Sequence, residues 1–125
     1  MAFKPIGNGY LNITAGTPVR ITANRTTPGA RLAVQALFIQ QLQANTGKLY
    51  LMSISNEVSQ AQLSKTTGIG VVAIIPAPTL VAGVATVLPW ISVTIPFSPG
   101  GFNAADYFLD TDINNDDALV SAIVI

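Results

Sequence analysis

The sequence predicts an all-β fold, a single-domain β-sandwich of about eight strands with jelly-roll-like or immunoglobulin-like connections. Short runs rich in Thr, Val, Ile, Tyr and Phe are separated by Gly, Pro, Asn, Asp and Ser, which is the pattern of strands and turns. The length of 125 residues fits one domain. No repeat or linker interrupts residues 1–125, so we expect one domain, with residues 1–9 as a candidate extended N-terminal arm.

The candidate strands follow one another with turns between them. They are residues 10–14, 18–23, 31–41, 48–52, 70–75, 79–88, 90–97, 105–110 and 118–125. In the second run, Val19, Ile21 and Ala23 alternate with polar residues, so one face of that strand should be buried. The third run carries apolar residues on both faces toward its end and is predicted to be a central strand.

The segments between these strands are predicted mainly as turns. Asn45-Thr46-Gly47 is a tight turn in which Gly47 supplies a positive φ, and residues 48–52 should return as the hairpin partner of residues 31–41. Residues 24–29, 98–101 and 112–117 are further turns on composition. Residues 56–65 are the one candidate for a helix, and their loose apolar spacing fits a short helical turn and a polar loop equally well.

The composition excludes most catalytic chemistry. The chain has no His and no Cys, so the usual proton shuttle, the usual metal ligand and thiol nucleophiles are absent. Ser and Thr are plentiful but have no His partner, and paired carboxylates occur only in the acidic loop, residues 110–117. We therefore expect that the protein is not an enzyme and binds no cofactor.

The charge pattern bears on partners. Six Lys plus Arg balance six Asp plus Glu, which argues against binding to nucleic acid or to an anionic membrane. Residues 66–105 contain no charged residue, but five prolines cut them into pieces shorter than the about 20 residues that a membrane-spanning helix needs. We expect buried strands and uncharged loops in this segment.

Two motifs resemble ligand sites but depart from their templates. Asp110-Thr-Asp112-Ile-Asn114-Asn115-Asp116 resembles the first part of a calcium-binding loop, yet it has Asn115 in place of the Gly and Ser121 in place of the final Glu. We predict a solvated acidic turn there, with adventitious cation binding as the alternative, and no metal site. Gly68-Ile-Gly70-Val-Val-Ala73 has dinucleotide-binding spacing, but a strand ending before Pro76 is predicted to follow it instead of a helix.

The apolar content predicts self-association. Half of the residues are apolar and the mean hydropathy is +0.50, which is more than a small solvated monomer usually carries. Arg20, Arg25 and Arg31 make the N-terminal quarter basic, whereas five of the six acids lie in the last fifth of the chain. A basic edge meeting an acidic edge of another copy and ordinary exposed charges are equally open interpretations.

Large apolar residues and two arginines of the basic quarter are the candidate contacts for a partner, and aromatic side chains in particular are enriched among interface hot spots. The complete set of candidate interface residues is Phe3, Pro5, Ile6, Tyr10, Arg20, Arg25, Trp90 and Phe102. The first four would act as arm contacts, with a frayed terminus as the alternative. Trp90 and Phe102 would act as aromatic anchors, although a core position is favoured for Trp90.

Several short motifs are similar to those of a known class of proteins. They are Thr17-Pro18-Val19-Arg20-Ile21, Ala33-Val34-Gln35-Ala36-Leu37, Asn45-Thr46-Gly47-Lys48-Leu49-Tyr50-Leu51 and Asp106-Tyr107-Phe108, followed by the closing apolar run at residues 118–125. Together they resemble small β-rich structural proteins of tailed bacteriophages. The long apolar middle of the chain departs from that pattern.

The resemblance implies a decoration, or cement, protein of the virion. Such a protein sits on the outside of the capsid and clamps neighbouring major capsid subunits, often as a trimer at local threefold positions. The implied partners are the major capsid protein and further copies of the chain, and the implied location is the capsid surface after synthesis in the host cytoplasm. The alternatives are a head–tail connector or a tail or baseplate component, and a carbohydrate-binding β-sandwich module.

Overall fold

Strands make up most of the regular structure of the chain. The computed structural model describes residues 3–94 and 100–125. Its strands are β1 (Lys4–Pro5), β2 (Leu11–Asn12), β3 (Val19–Arg20), β4 (Ala33–Gln41), β5 (Leu49–Ser53), β6 (Val71–Ile75), β7 (Thr79–Val81), β8 (Val84–Val87), β9 (Trp90–Thr94), β10 (Phe102–Asn103), β11 (Tyr107–Thr111) and β12 (Asp117–Val124). The end of the strand predicted at residues 90–97, and the first two residues of the turn predicted at 98–101, lie outside the described residues.

Two antiparallel sheets form the sandwich. In the first sheet, β1 and β2 pair with one edge of β12, β4 pairs with its other edge, and β9 and β10 pair with the far edge of β4. The second sheet has the order β3-β11-β5-β6. β1 and β2 pair with the same edge of β12 and occupy one place in the first sheet, and β9 and β10 likewise occupy one place beside β4. Each sheet then has four strand places, and their order is that of an eight-stranded jelly roll. The predicted all-β sandwich is therefore confirmed, and its connections are those of the jelly-roll alternative.

The hairpin predicted between residues 31–41 and 48–52 does not form. β4 lies in the first sheet, whereas β5 lies in the second and pairs with β11 and β6. The prediction was wrong because turn composition does not distinguish a return within one sheet from a crossing between sheets. Gly47 also lacks the predicted positive φ. A Cβ at this position would lie 2.8 Å from Ile113 Cγ1, so close packing is what requires glycine.

Aliphatic side chains from both sheets fill the space between them. Leu37 and Ile39 of β4 lie in one buried cluster with Leu49 and Leu51 of β5 and Leu109 of β11. Fully burying each such side chain contributes about 1.5–3 kcal/mol. The hydrophobic effect therefore holds the two sheets together through a core shared by both.

A second, smaller cluster covers the outer face of the second sheet. Met52, Leu63 and Phe108 are buried together there, under the chain segment of residues 54–69. Lys65 anchors this segment to the end of β11, because its Nζ donates a hydrogen bond to the Thr111 carbonyl and lies 3.5 Å from the Asp112 carboxylate. Of the two interpretations of residues 56–65, the short helical turn is observed, as a 3₁₀ turn at Gln60–Gln62.

Part of the predicted N-terminal arm, Lys4–Pro5, is an edge strand of the sandwich itself. In β1, Lys4 lies opposite Ala122 and Pro5 lies opposite Ser121 of β12. The Ile6 N–H donates a hydrogen bond to the Val120 carbonyl at 3.1 Å, and the Ile6 side chain is buried. Residues 4–6 therefore bind to their own first sheet.

The single strand predicted at residues 79–88 is instead a hairpin of β7 and β8. Ala82 and Gly83 form its two-residue turn, with φ angles of 52° and 78°. Two successive positive φ values match the twist of a hairpin turn. The prediction was wrong because the run from Val81 to Val84 is apolar throughout, so that Gly83 alone marks the turn. Within the described residues, β7 and β8 pair only with each other.

Candidate interaction surface

The outer face of the first sheet carries exposed aromatic side chains. Residues directly opposite each other in antiparallel strands share a face, and Phe38 lies opposite Ser92 on one side and Ser121 on the other. The residues that share this face are Pro5 of β1, Ala36, Phe38 and Gln40 of β4, Trp90, Ser92 and Thr94 of β9, and Leu119, Ser121 and Ile123 of β12. None of these residues is charged.

Three rings form a continuous line across this face, which we call the aromatic row: Phe3, Phe38 and Trp90. The ring centroids of Phe3 and Phe38 are 5.7 Å apart, and those of Phe38 and Trp90 are 5.1 Å apart with an angle of 29° between the planes. Phe38 is partly buried at the centre, whereas Phe3 and Trp90 are 47% and 56% exposed. Ring pairs at such distances contribute about 0.5–1.5 kcal/mol beyond area burial, so the row is an ordered surface.

A bulge in β4 places Phe38 on the outer face. Ala36 lies opposite Ile123 and Val34 lies opposite Val124, which leaves Gln35 as an extra residue in β4. Val34 and Leu37, on either side of the bulge, both belong to the core. Because one inserted residue reverses the side-chain alternation, Phe38 points away from the core. Phe38 is absent from the predicted contacts, and its one signal in the sequence is that apolar residues occupy both faces of this strand.

Five of the eight predicted contact residues lie either on the outer face of the first sheet or in the core. Phe3, Pro5 and Trp90 come together on the outer face of the first sheet. The core position favoured for Trp90 is wrong, because the register of β9 turns this side chain outward. Ile6 and Phe102 are buried in the main core, and the Phe102 ring packs edge-on against Tyr107 at 5.6 Å. These two side chains are not available at the surface.

The other three predicted contact residues are Arg20, Arg25 and Tyr10, and they lie outside both the aromatic row and the core. The Arg20 guanidinium donates a hydrogen bond to the Ala105 carbonyl and lies 4.8 Å from the centroid of the Phe108 ring, so it stabilises its own chain. Arg25 Nη1 donates to the Ala30 carbonyl at 3.1 Å. Tyr10 is exposed just before β2.

The acidic loop is held by backbone hydrogen bonds from neighbouring loops. Asp110 Oδ1 accepts from the Gly16 N–H at 2.9 Å, and Asp116 Oδ2 accepts from the Gly47 N–H at 2.8 Å. Asp110 and Asp116 are both buried, so the prediction of a solvated turn is wrong for these two residues, and Asp112 faces Lys65. In residues 3–94 and 100–125, no group of three or more acidic, His or Cys side chains is placed to hold a metal ion. The carboxylates of Asp110 and Asp116 therefore serve as structural acceptors.

Within the part of the chain that the structure describes, the side chain of Asp117, at the start of β12, lacks the hydrogen bonds that the Asp110 and Asp116 carboxylates accept. Its Oδ1 is buried and has no hydrogen-bond partner among the described residues. Burial, together with the nearby charge of Asp116, raises the pKa of the Asp117 carboxyl above its ordinary value of 3.8. The backbone is nevertheless fixed, because the Asp117 N–H donates to Asn45 Oδ1 at 3.0 Å and Asn45 Nδ2 donates to the Asp117 carbonyl at 2.6 Å.

Two depressions lie elsewhere on the described surface. One has a volume of about 260 Å³ and is lined by Gly7, Asn8, Asn24, Arg25, Thr26 and Thr27. The other has a volume of about 470 Å³ and is lined by Gly16, Thr17, Pro18, Gln60, Ala61 and Leu63. Their side chains offer hydrogen-bonding groups, but neither set contains a nucleophile beside a general base or a pair of carboxylates.

Comparisons with known proteins do not assign the chain to a family. No protein-family model matches it, and no curated protein and no solved structure is found to be similar. Among the described residues, no helix is long and apolar enough to cross a membrane. Inference about function therefore rests on the surfaces of the sandwich.

Proposed function

We propose that the chain is a non-enzymatic structural protein of a bacteriophage virion. It binds the outer capsid surface and stabilises contacts between major capsid subunits, as a decoration protein that is made in the host cytoplasm and assembles as a homo-oligomer, expected to be a trimer. The observation that carries this proposal is the aromatic row of Phe3, Phe38 and Trp90 on an uncharged sheet face.

An ordered, uncharged aromatic surface is suited to binding another protein. Aromatic residues are enriched, and charged residues depleted, in the central parts of protein interfaces. Phe3 and Trp90 each keep about half of their surface in water. Because fully burying a large apolar side chain contributes about 1.5–3 kcal/mol, covering the exposed halves of both contributes about that amount in total.

A modest contribution per copy suffices for a protein that binds at many equivalent positions. A capsid repeats the same subunit junction, and a protein that binds only the assembled shell shifts the equilibrium toward that shell. An oligomer that contacts several junctions gains further from effective concentration. Two other features support the proposal: the motifs that resemble phage structural proteins, and, as an analogy of fold alone, the occurrence of jelly rolls in viral capsid domains.

A carbohydrate-binding module is the second candidate, and the Trp90–Phe38 pair is the observation that favours it. The C–H faces of sugar rings pack on aromatic rings, and Gln40 and Ser92 lie beside this pair with hydrogen-bonding groups. Jelly rolls also occur among lectins. In a glycan array, sugar binding that Trp90→Ala abolishes would support this candidate, and binding to no sugar would exclude it.

Co-sedimentation with capsid shells tests the decoration role. Shells purified without this chain are mixed with it, and both the bound fraction and the temperature of shell disruption are measured. We expect wild type to bind and to raise that temperature, and Trp90→Ala to lose most of the binding. The matched control is Ile113→Ala, which removes another half-exposed apolar side chain, from the loop between β11 and β12, and should bind like wild type.

The alternatives give different results in the same experiment. Wild type that fails to co-sediment with shells contradicts the decoration role. Binding to isolated necks or tails instead of shells would support a connector or a tail component.

A further inference from the structure

Among the described residues, the β7–β8 hairpin is an apolar element that pairs with no other strand of its own chain. Val81 and Val84 lie opposite each other, and Val87 pairs with Thr79, two residues before Val81, so the three valines share one face. Leu80 lies on the other face. These four aliphatic side chains are between 51% and 60% exposed, and none belongs to either hydrophobic cluster or packs against one.

Such a hairpin requires a surface to pack on. An isolated two-stranded hairpin is at best marginally stable in water, and a hairpin exposed to solvent on both faces would ordinarily carry polar residues. This one contains no charged residue, and Thr79 and Thr86 are its polar side chains. Its turn also places Ala82 at a φ of 52°, which a non-glycine residue rarely adopts. Its composition is therefore that of an interface element.

The hairpin does not fold back onto the strand that precedes it. Only residues 76–78 separate β6 from β7, and Pro76 and Pro78 are two of these three residues. Proline fixes its own φ and holds the residue before it in an extended conformation, which disfavours a tight reversal. The link thus directs the hairpin away from the edge of its own second sheet.

That same edge offers a matching surface. β6 pairs with β5 on one side and is the last strand of the second sheet, and no other strand of the described residues pairs with its second side. Val72 and Ile74 of β6 are 56% and 52% exposed, and neither a charge nor a proline within β6 protects this edge against pairing. The described ranges 3–94 and 100–125 therefore contain an apolar hairpin and an apolar strand edge that pair with no further strand, and neither carries a charge.

We infer that the β7–β8 hairpin of one copy packs against the β6 edge of a second copy of the chain. A second copy is the occupant that satisfies both elements in one contact, whereas a hairpin bound to a capsid subunit would leave every β6 edge open. This inference deepens the homo-oligomer part of the proposed function and rests on it, while capsid binding uses the aromatic row on the other sheet. Because the hairpin and the edge are different patches, the contact is heterologous and can close into a ring, of which the proposed trimer is one.

Cysteine cross-linking tests the pairing directly, because the native chain has no Cys. Val81→Cys and Ile74→Cys are prepared separately, one with a mass tag, mixed, and treated with a short bis-maleimide. We expect a mixed dimer joining Cys at position 81 of one copy to Cys at position 74 of the other. Val81→Cys mixed with Thr27→Cys, an exposed position in the loop after β3, is the control and should give little product. Cross-linking of Val81→Cys chiefly to itself would overturn the inference.

A charge in the hairpin provides the second test. Val81→Asp should weaken self-association in sedimentation velocity by about tenfold or more, because an unpaired carboxylate would be buried at the contact. Thr27→Asp adds the same charge elsewhere and should leave association unchanged. Both variants should keep the wild-type far-UV circular dichroism spectrum, since neither side chain lies in a buried cluster. A monomeric wild type, or an unaffected Val81→Asp oligomer, would refute the hairpin contact. Wild type that forms the oligomer but does not bind capsid shells would instead refute the capsid role and leave the hairpin contact standing.

Discussion

The ring of Trp90 stacks on the ring of Phe38 across neighbouring strands, with centroids 5.1 Å apart. The two residues are diagonal neighbours, because Trp90 lies opposite Gln40 and Phe38 lies opposite Ser92. This contact holds Trp90 on the outer face of the sheet while leaving 56% of it exposed. An exposed aromatic residue is thus ordered without being part of the core.

The two aromatic anchors predicted from the sequence should differ in their effect on stability. Trp90→Ala removes a half-exposed ring and should lower the free energy of unfolding by about 1 kcal/mol, mostly from the lost ring pair. Phe102→Ala removes a ring that is only 8% exposed and should cost about 3–5 kcal/mol because it leaves a cavity. Urea denaturation measures both. Equal costs would contradict the assignment of one ring to the surface and the other to the core.

Alanine substitution at Gly7 and at Gly16 should separate the cost of a positive φ from the cost of a steric clash. Both have positive φ, 78° and 83°. A Cβ on Gly7 would lie 2.5 Å from Asn24 Cβ, whereas a Cβ on Gly16 would meet nothing within 4 Å. Gly16→Ala should therefore cost about 1–2 kcal/mol from φ alone, and Gly7→Ala about 2–4 kcal/mol because overpacking is added. Calorimetric unfolding that ranks Gly16→Ala as the more damaging change would refute this packing.

Asp116 and Asp112 test the structural role of the acidic loop. Asp116→Ala leaves the N–H groups of Thr46 and Gly47 without their acceptor and should cost about 2 kcal/mol or more. Asp112→Ala removes a surface ion pair with Lys65 and should cost about 1 kcal/mol at most.

Thermal unfolding of wild type should be the same with calcium and with chelator. A calcium-dependent rise in the unfolding temperature would show that the loop binds the cation.

Asp117 should make stability depend on pH. Burial raises the pKa of its carboxyl in the folded state above 3.8, so the folded state binds the proton more tightly than the unfolded state. Its contribution to stability is fully present below the unfolded-state pKa and is lost as pH rises through the folded-state pKa. Asp117→Asn should therefore stabilise the protein at pH 7, and the gain should vanish near pH 3. A gain that is equal at both pH values would contradict this titration.

Local alternation predicted the long strands well. β4 and β12 lie within two residues of their predicted ends, because their alternating aliphatic residues are the ones that fill the core. Which strands pair with one another could not be predicted from local alternation. The Asn45-Thr46-Gly47 turn leads from one sheet to the other, and the short strand β1 exists because β12 offers it an edge. Both depend on contacts between residues that are distant in the chain.

The candidate surface was predictable only in part. Phe3, Pro5 and Trp90 were identified as contacts by residue type, and they do share one face. Phe38 joins them because a single extra residue, Gln35, reverses the alternation of β4, and nothing in the local sequence marks a bulge there. Ile6 and Phe102 have equally suitable side chains but lie in the core, because facing depends on register and not on composition.

The copy number of this chain in purified virions tests the central claim most directly. Quantitative mass spectrometry against the major capsid protein measures it. The decoration role predicts a ratio near one chain per capsid subunit, because every subunit junction offers the same surface to the aromatic row. A ratio far below one would place the chain in the neck or tail, and its absence from virions would contradict the account.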